Sequence, residues 1–212
     1  MTEIVAIDGP ASVGKSTLAK KVAINLQAPI LFSGRLYRAI AFEIINRKIS
    51  LNNKKQVLQC IEKIEKNLDS RHLYTSEIDK LSSIISTKKY VRSELKEYQK
   101  DFPKKRGKGK KFVIIEGRDI GTIIFPKAKY KIFMWAEAEI RAKRRCLQIK
   151  KNGGKPSFNR VLEEINKRDN KDLNRKIAPL KPSANSVLLD TSYLDIEQSL
   201  NKIMNIINCQ NI

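Results

Sequence analysis

Glu3-Ile4-Val5-Ala6-Ile7 runs directly into Asp8-Gly9-Pro10-Ala11-Ser12-Val13-Gly14-Lys15-Ser16-Thr17. The first five residues form a short apolar run with the length of a buried strand. From Lys15 on, Leu18, Ala19, Val22, Ala23 and Leu26 fall at helical spacing. A strand, a glycine-bounded loop and a helix thus follow one another without a break. Gly9 to Thr17 fits G-x-x-x-x-G-K-[ST] at every fixed position. A loop from Gly9 through Pro10, Ala11, Ser12, Val13 and Gly14 turns backbone N–H groups, with those of the helix start, toward an anion. Lys15 adds fixed positive charge for β- and γ-phosphates, Ser16 a hydroxyl for Mg²⁺, and the Thr17 backbone caps the α-phosphate region. By average residue usage, a chance match in a chain of this length is on the order of one per cent. The competing reading is an ordinary turn of small residues, and the flanking strand and helix count against it. The motif implies ATP or GTP as ligand and leaves the acceptor open.

On either side of further glycine turns the same alternation recurs. Pro29–Phe32 reads as a strand broken by Ser33-Gly34, and Leu36–Ile45 as a helix. Phe112–Ile115 is a strand ending in the charged turn Glu116-Gly117-Arg118-Asp119, and Tyr130–Trp135 is another strand. Ala138–Lys150 is helical and ends at Asn152-Gly153-Gly154; Phe158–Arg168 is helical, Ser186–Asp190 is the last strand, and Asp195–Ile207 is a closing helix. Short strands alternating with helices predict an α/β fold of three layers, a parallel five-stranded sheet with helices on both faces. Two polar segments, near 46–100 and 151–176, interrupt it. Within the first, Leu51–Leu68 and Glu94–Lys100 read as helices and His72–Tyr74 as a short strand; Phe102–Lys111 is a loop holding Pro103, Gly107 and Gly109. Both segments are expected to be excursions from one core.

The chain has 212 residues, 41% of them hydrophobic and 31% charged, as expected of a globular domain. No apolar run is long enough to span a bilayer, and the start lacks a basic leader, which points to the cytoplasm. Cys60, Cys146 and Cys209 fit neither a disulfide framework nor a zinc spacing. The net charge of +21 attracts polyanions. Its lysines are scattered and no nucleic-acid motif accompanies them, so they read as solvated faces and no specific nucleic-acid partner is expected. Arg38 and Arg118 each follow a glycine turn after an apolar strand, where open α/β sheets bind ligands. Arg141 and Arg145 are spaced i, i+4, so their heads are expected on one face of a helix, with Arg144 able to substitute.

Four motifs, in this order and spacing, carry a resemblance. They are the phosphate loop; Ser33-Gly34-x-x-Tyr37-Arg38; Glu116-Gly117-Arg118-Asp119-Ile120-Gly121-Thr122; and Arg168-Asp169-x-x-Asp172-x-x-Arg175 followed by Ala178-Pro179-Leu180. From about Ile4 to Leu200 the chain resembles the bacterial cytidylate kinases, nucleoside monophosphate kinases of the P-loop class. The resemblance implies a core of about 1–37, 102–150 and 177–212, a monophosphate-binding excursion of about 38–101, and a short lid of about 151–176. It implies ATP as phosphate donor, Mg²⁺, CMP and dCMP as acceptors, and a monomer. Ser33, Arg38 and Arg118 would hold the CMP phosphate. Ser83 and Arg92 would read the base, joined by Asp119. Arg168 and Asp172 would contact the ribose, with Arg175 near the nucleotide, and Lys15, Arg118, Arg141, Arg145 and Arg168 would balance charge on the moving phosphate.

The chemistry of cytosine suits those residue types. An aspartate can accept from the N4 amino group and an arginine can donate to N3 and O2. Uracil reverses the N4 and N3 polarity, and a buried hydrogen-bonding site can reject such an analogue by as much as ~10⁴-fold. Two departures stand out. Phe32 occupies the place of the family's aspartate before the Ser-Gly pair, and Glu116 replaces the aspartate of its Asp-Gly-Arg-Asp turn. Glu116 is therefore expected to help hold Mg²⁺ with Ser16, through ordered water. The alternatives are a P-loop kinase for another small acceptor, which would not need both Arg92 and Asp119, and a nucleotide-dependent nucleic-acid-binding module.

Overall fold

The computed structural model describes residues 2–62, 64–68, 71–151 and 153–209. Lys63, inside the expected Leu51–Leu68 helix, and Asn152, at the expected helix break, lie outside the described residues. Five strands, β1 (Glu3–Asp8), β2 (Ile30–Phe32), β3 (Phe112–Gly117), β4 (Tyr130–Trp135) and β5 (Val187–Asp190), form one sheet in the order β2-β3-β1-β4-β5. The pairs β1/β3, β1/β4 and β4/β5 are parallel. Every residue of β3 is buried, as is β1 from Val5 to Asp8, which is why these strands read as continuous apolar runs. The chain starts in the middle of the sheet, moves to one side for β2 and β3, and then crosses to the other for β4 and β5. The carboxyl end of β1 is thus the switch point where such sheets bind ligands.

Two compact units make up the chain, Met1–Ile30 with Arg106–Ile212, and Leu31–Lys105. In the first, α1 (Lys15–Asn25) packs against β3 and against α8 (Ile196–Cys209). α6 (Ala138–Lys151) pairs with α7 (Phe158–Asn174) around Ala142, Val161 and Ile165. α7 continues six residues past Arg168, so the Arg168–Asp172 motif is helical. Asp119 precedes a single π-helical segment, Ile120–Ile124, that the hydropathy pattern gave no sign of.

The second unit holds α2 (Ser33–Asn46), α3 (Lys54–Glu62), α4 (Ser76–Ile85) and α5 (Lys89–Arg106), the last ending one residue beyond it. Ser33-Gly34 ends the strand as expected, and does so by forming the first turn of α2. Several expectations are corrected here. The expected 51–68 helix is the shorter α3 followed by a 3₁₀ turn, Ile64–Asn67. His72–Tyr74 is not a strand but part of a second 3₁₀ turn, Arg71–Tyr74. α5 carries Pro103 inside its last turn, so the basic loop begins at Gly107 rather than Phe102. The ring removes the bond from residue 103 back to the Gln99 carbonyl, and the helix runs only three residues beyond it.

Candidate active site

The loop between β1 and α1 has its path set at both ends. At Gly9, φ is +149° and a Cβ would stand 2.2 Å from the Met134 carbonyl oxygen, so β4 passes too close for any side chain. At Gly14, φ is +97°, which turns the chain into α1. Two arginines of α6 hold the outer side of the loop. Arg141 donates from Nη1 to the Ala11 carbonyl at 3.2 Å and from Nε to the Ala136 carbonyl at 2.8 Å, and pairs through Nη2 with Asp169 at 2.6 Å. Arg144 donates to the Val13 carbonyl at 3.3 Å, and to the hydroxyl and carbonyl of Thr191. The Ala11 and Val13 carbonyls of the loop are thus both held by α6.

Lys15 is only 5% exposed. Its ammonium donates to the Pro10 carbonyl at 2.6 Å and lies 3.8 Å from Glu116. Burial, then the nearby Arg118, lower its pKa to about 7, partly offset by Glu116 and Asp8. Ser16 donates from its hydroxyl to Glu116 Oε2 at 3.3 Å. β3 thus delivers a carboxylate to both the lysine and the hydroxyl of the loop. An oxygen pair of this kind, beside bound phosphates, suits Mg²⁺, which takes few protein ligands and keeps water.

Past Glu116 and Gly117 comes the Arg118-Asp119 turn. Arg118 Nε donates to Asp172 Oδ2 at 3.3 Å, and Nη1 to the Gly117 carbonyl at 3.4 Å. The buried Asp172 also lies 3.8 Å from Arg175, which donates to the Ala178 carbonyl. Asp172 is therefore the centre of a two-arginine cluster joining β3 to α7. Arg168 is near enough to Lys15 to depress its pKa further. Asp119 is buried, and its carbonyl accepts from Ile123 and Ile124 at 2.9 and 3.2 Å. Arg145 is half-buried and donates to Gln148 at 2.8 Å. Arg141 and Arg144, the latter the expected substitute, both bond to the loop.

In the second unit, Ser33 is buried in the first turn of α2. Arg38 pairs with Asp79, donates to the Leu73 carbonyl at 2.9 Å, and lies over the Tyr74 ring at 5.1 Å. Ser83 through its backbone carbonyl and Arg92 through its guanidinium both bond to Ser86. Ser86 donates to the Ser83 carbonyl at 2.8 Å, and Arg92 donates to the Ser86 carbonyl at 3.1 Å. Phe32, in the place of the family's aspartate, lies under the guanidinium of Arg35 at 4.3 Å from the ring centroid.

Sequence reasoning missed Asp8, Asp79, Asp169 and Thr191. Asp79 has no motif position that sets it apart from other helical carboxylates, and Asp169 stands inside the Arg168–Arg175 motif but had no role assigned to it. Asp8 carried a signal: a carboxylate closing an otherwise apolar buried strand must find donors there.

A family model for cytidylate kinase matches residues 5–209. The cytidylate kinase of Mycoplasmopsis synoviae is 36% identical over 211 residues, covering 96% of this chain and 97% of that protein. That of Caldanaerobacter subterraneus is 37% identical over 212 residues, covering 96% and 93%. Among solved structures, an uncharacterized protein from Eubacterium ventriosum aligns over 99% of each chain with a TM-score of 0.55 at 13% identity, a likeness of fold alone.

Proposed function

This chain belongs to the cytidylate kinase family, and from that premise we propose that it transfers the terminal phosphate of ATP directly to CMP and dCMP. The observation that carries the proposal is the convergence on one loop of a buried lysine, a serine hydroxyl and the Glu116 carboxylate, with Arg118 two residues further along the chain. Gly9–Thr17 binds the triphosphate through backbone amides, and Lys15 neutralises its outer phosphates. Ser16, with Glu116 through ordered water, would hold Mg²⁺, which would supply charge neutralisation at the bound phosphates. Phosphoryl transfer asks little covalent chemistry of the protein and much positioning and charge compensation. Arg118 and Arg168 provide that compensation beside Lys15, with Arg145 as a further cation, while Arg141 acts from behind the loop.

The acceptor side rests on Ser33, Arg38 and Arg118 for the phosphate, on Ser83, Arg92 and Asp119 for cytosine, and on Arg168, Asp172 and Arg175 for the sugar and its surroundings. Among the described residues no helix is long and apolar enough to cross a membrane, and a small-molecule kinase acting as a monomer needs none.

A coupled ADP-release assay with CMP, dCMP, UMP, AMP and shikimate tests this function. Strong turnover of CMP and dCMP with weak turnover of UMP is expected. Arg92→Ala should raise the KM for CMP at least tenfold, the scale of a lost buried charged hydrogen bond, while leaving ATP affinity within about twofold. Equal loss toward both substrates would contradict the placement of Arg92, and turnover of shikimate or AMP in place of CMP would contradict the acceptor.

A further inference from the structure

Asp8, the last residue of β1, is 5% exposed, yet its carboxylate is fully used. Oδ1 accepts from the backbone N–H of Ile120 at 2.9 Å, and Oδ2 accepts from that of Gly121 at 2.7 Å. These are the leading N–H groups of the π-helical segment, groups that a helix start leaves without an internal partner. The carboxylate that caps them comes from a strand more than one hundred residues away in sequence.

That placement constrains the turn in between. Gly117 is fixed by its pairing with Asp8 across β1 and β3. Ile120 is fixed by the Asp8 side chain. Only Arg118 and Asp119 lie between the two anchors, and Asp8 supplies both of them. A span of two residues held at each end by one buried residue has little freedom, so the directions of Arg118 and Asp119 follow from it. Asp8 is also the residue before Gly9, so the same strand end sets the start of the phosphate loop.

We propose that Asp8 is a positioning residue for the acceptor: it clamps the Arg118–Asp119 turn so that the arginine meets the nucleotide phosphate and the aspartate meets the base amino group. This rests on the acceptor roles given above to Arg118 and Asp119. An amide in place of the carboxylate keeps its shape but turns an NH₂ toward one of the two N–H groups, leaving that donor buried and unpaired. The turn is then free to shift, while the loop backbone keeps the holds of Arg141 and Arg144.

The test is steady-state kinetics on Asp8→Asn and Asp8→Glu, with ATP affinity measured separately by a fluorescent ATP analogue and folding by circular dichroism. The expected result is a rise in KM for CMP on the order of tenfold, a drop in the CMP-to-UMP preference of similar size, and ATP affinity within about twofold of the parent. The preference ratio is the readout that a merely structural residue would leave unmoved. An equal loss toward ATP and CMP, an unchanged preference ratio, or loss of folding in both variants would overturn the proposal. Should the parent protein not turn over CMP at all, the acceptor assignment fails; hydrogen exchange of the Ile120 and Gly121 amides, slow in the parent and fast in Asp8→Asn, then still decides whether Asp8 clamps the turn.

Discussion

A carboxyl buried beside its own strand titrates far from its ordinary value, and Asp8 shows the consequence. Burial raises its pKa from 3.8 to about 7, against the lowering pull of the Gly121 and Ile120 amides; Asp119 raises it further and Lys15 lowers it. Between those values the folded chain holds a proton that the unfolded chain has released. The contribution of Asp8 to stability is therefore full below about pH 4 and is lost as pH rises toward 7, with a total on the order of 4 kcal/mol. Urea midpoints of the parent and of Asp8→Asn, measured at steps from pH 4.5 to 7.5, should show the parent losing ground to the variant as pH rises. Parallel curves would mean that Asp8 titrates as an ordinary carboxyl. At this scale the sequence was most informative where a motif demands a residue type: Lys15 and Ser16 open α1 directly after the glycine loop. It was silent on which groups they meet. Glu116 was linked with Ser16 only through Mg²⁺ and water, and nothing in the order of residues says that it would take the Ser16 hydroxyl directly, or that Asp172 would sit between Arg118 and Arg175.

Elements were legible in proportion to how strongly burial patterned them. β4 lies where its apolar run begins and ends, and β1 and β3 extend by one or two residues, because a strand buried in a parallel sheet leaves an unbroken apolar signature. The helices of the second unit are less evident, since α5 is rich in lysine and carries Pro103, and the sequence cue for a break at 102 was overridden near a helix end. The π-helical segment after Asp119 depends on a distant carboxylate and has no local cue. On α6, Arg141 and Arg144, three residues apart and so on one side of the helix, both donate to carbonyls of the phosphate loop, while Arg145 donates to Gln148. An element-level prediction follows from that geometry. Arg144→Ala removes donors to the Val13 carbonyl and to Thr191, loosening one side of the loop. ATP affinity should fall on the order of tenfold, the scale of one partly buried charged hydrogen bond, and Arg144→Lys, which keeps the charge but not the planar fork, should restore little of it. Titration with a fluorescent ATP analogue measures both; full affinity in the alanine variant would remove Arg144 from the support of the loop.

For the molecule as a whole, the excess of 43 basic over 22 acidic residues matters twice, and with opposite signs. Like charges spread over the surface repel one another in the folded state more than in an expanded chain, so the folded state gains when they are screened. The same field draws anionic nucleotides toward the arginines and Lys15, so binding loses when they are screened. Raising ionic strength from about 20 to about 200 mM shortens the screening length from roughly 20 Å to below 10 Å, which spans the distances between surface lysines. Stability and substrate capture should then separate along one axis. The thermal midpoint is expected to rise by a few degrees over that range, while kcat/KM for CMP falls severalfold with kcat nearly constant, because encounter and not the transfer step is what the field assists. A midpoint that falls with salt would show that specific ion pairs, such as Lys21–Glu197 and Lys129–Glu3, outweigh the general repulsion. A kcat/KM indifferent to salt would show that the surface lysines contribute nothing to the approach of the acceptor, and that the positive charge relevant to function is confined to the arginines around Asp172 and the lysine of the loop.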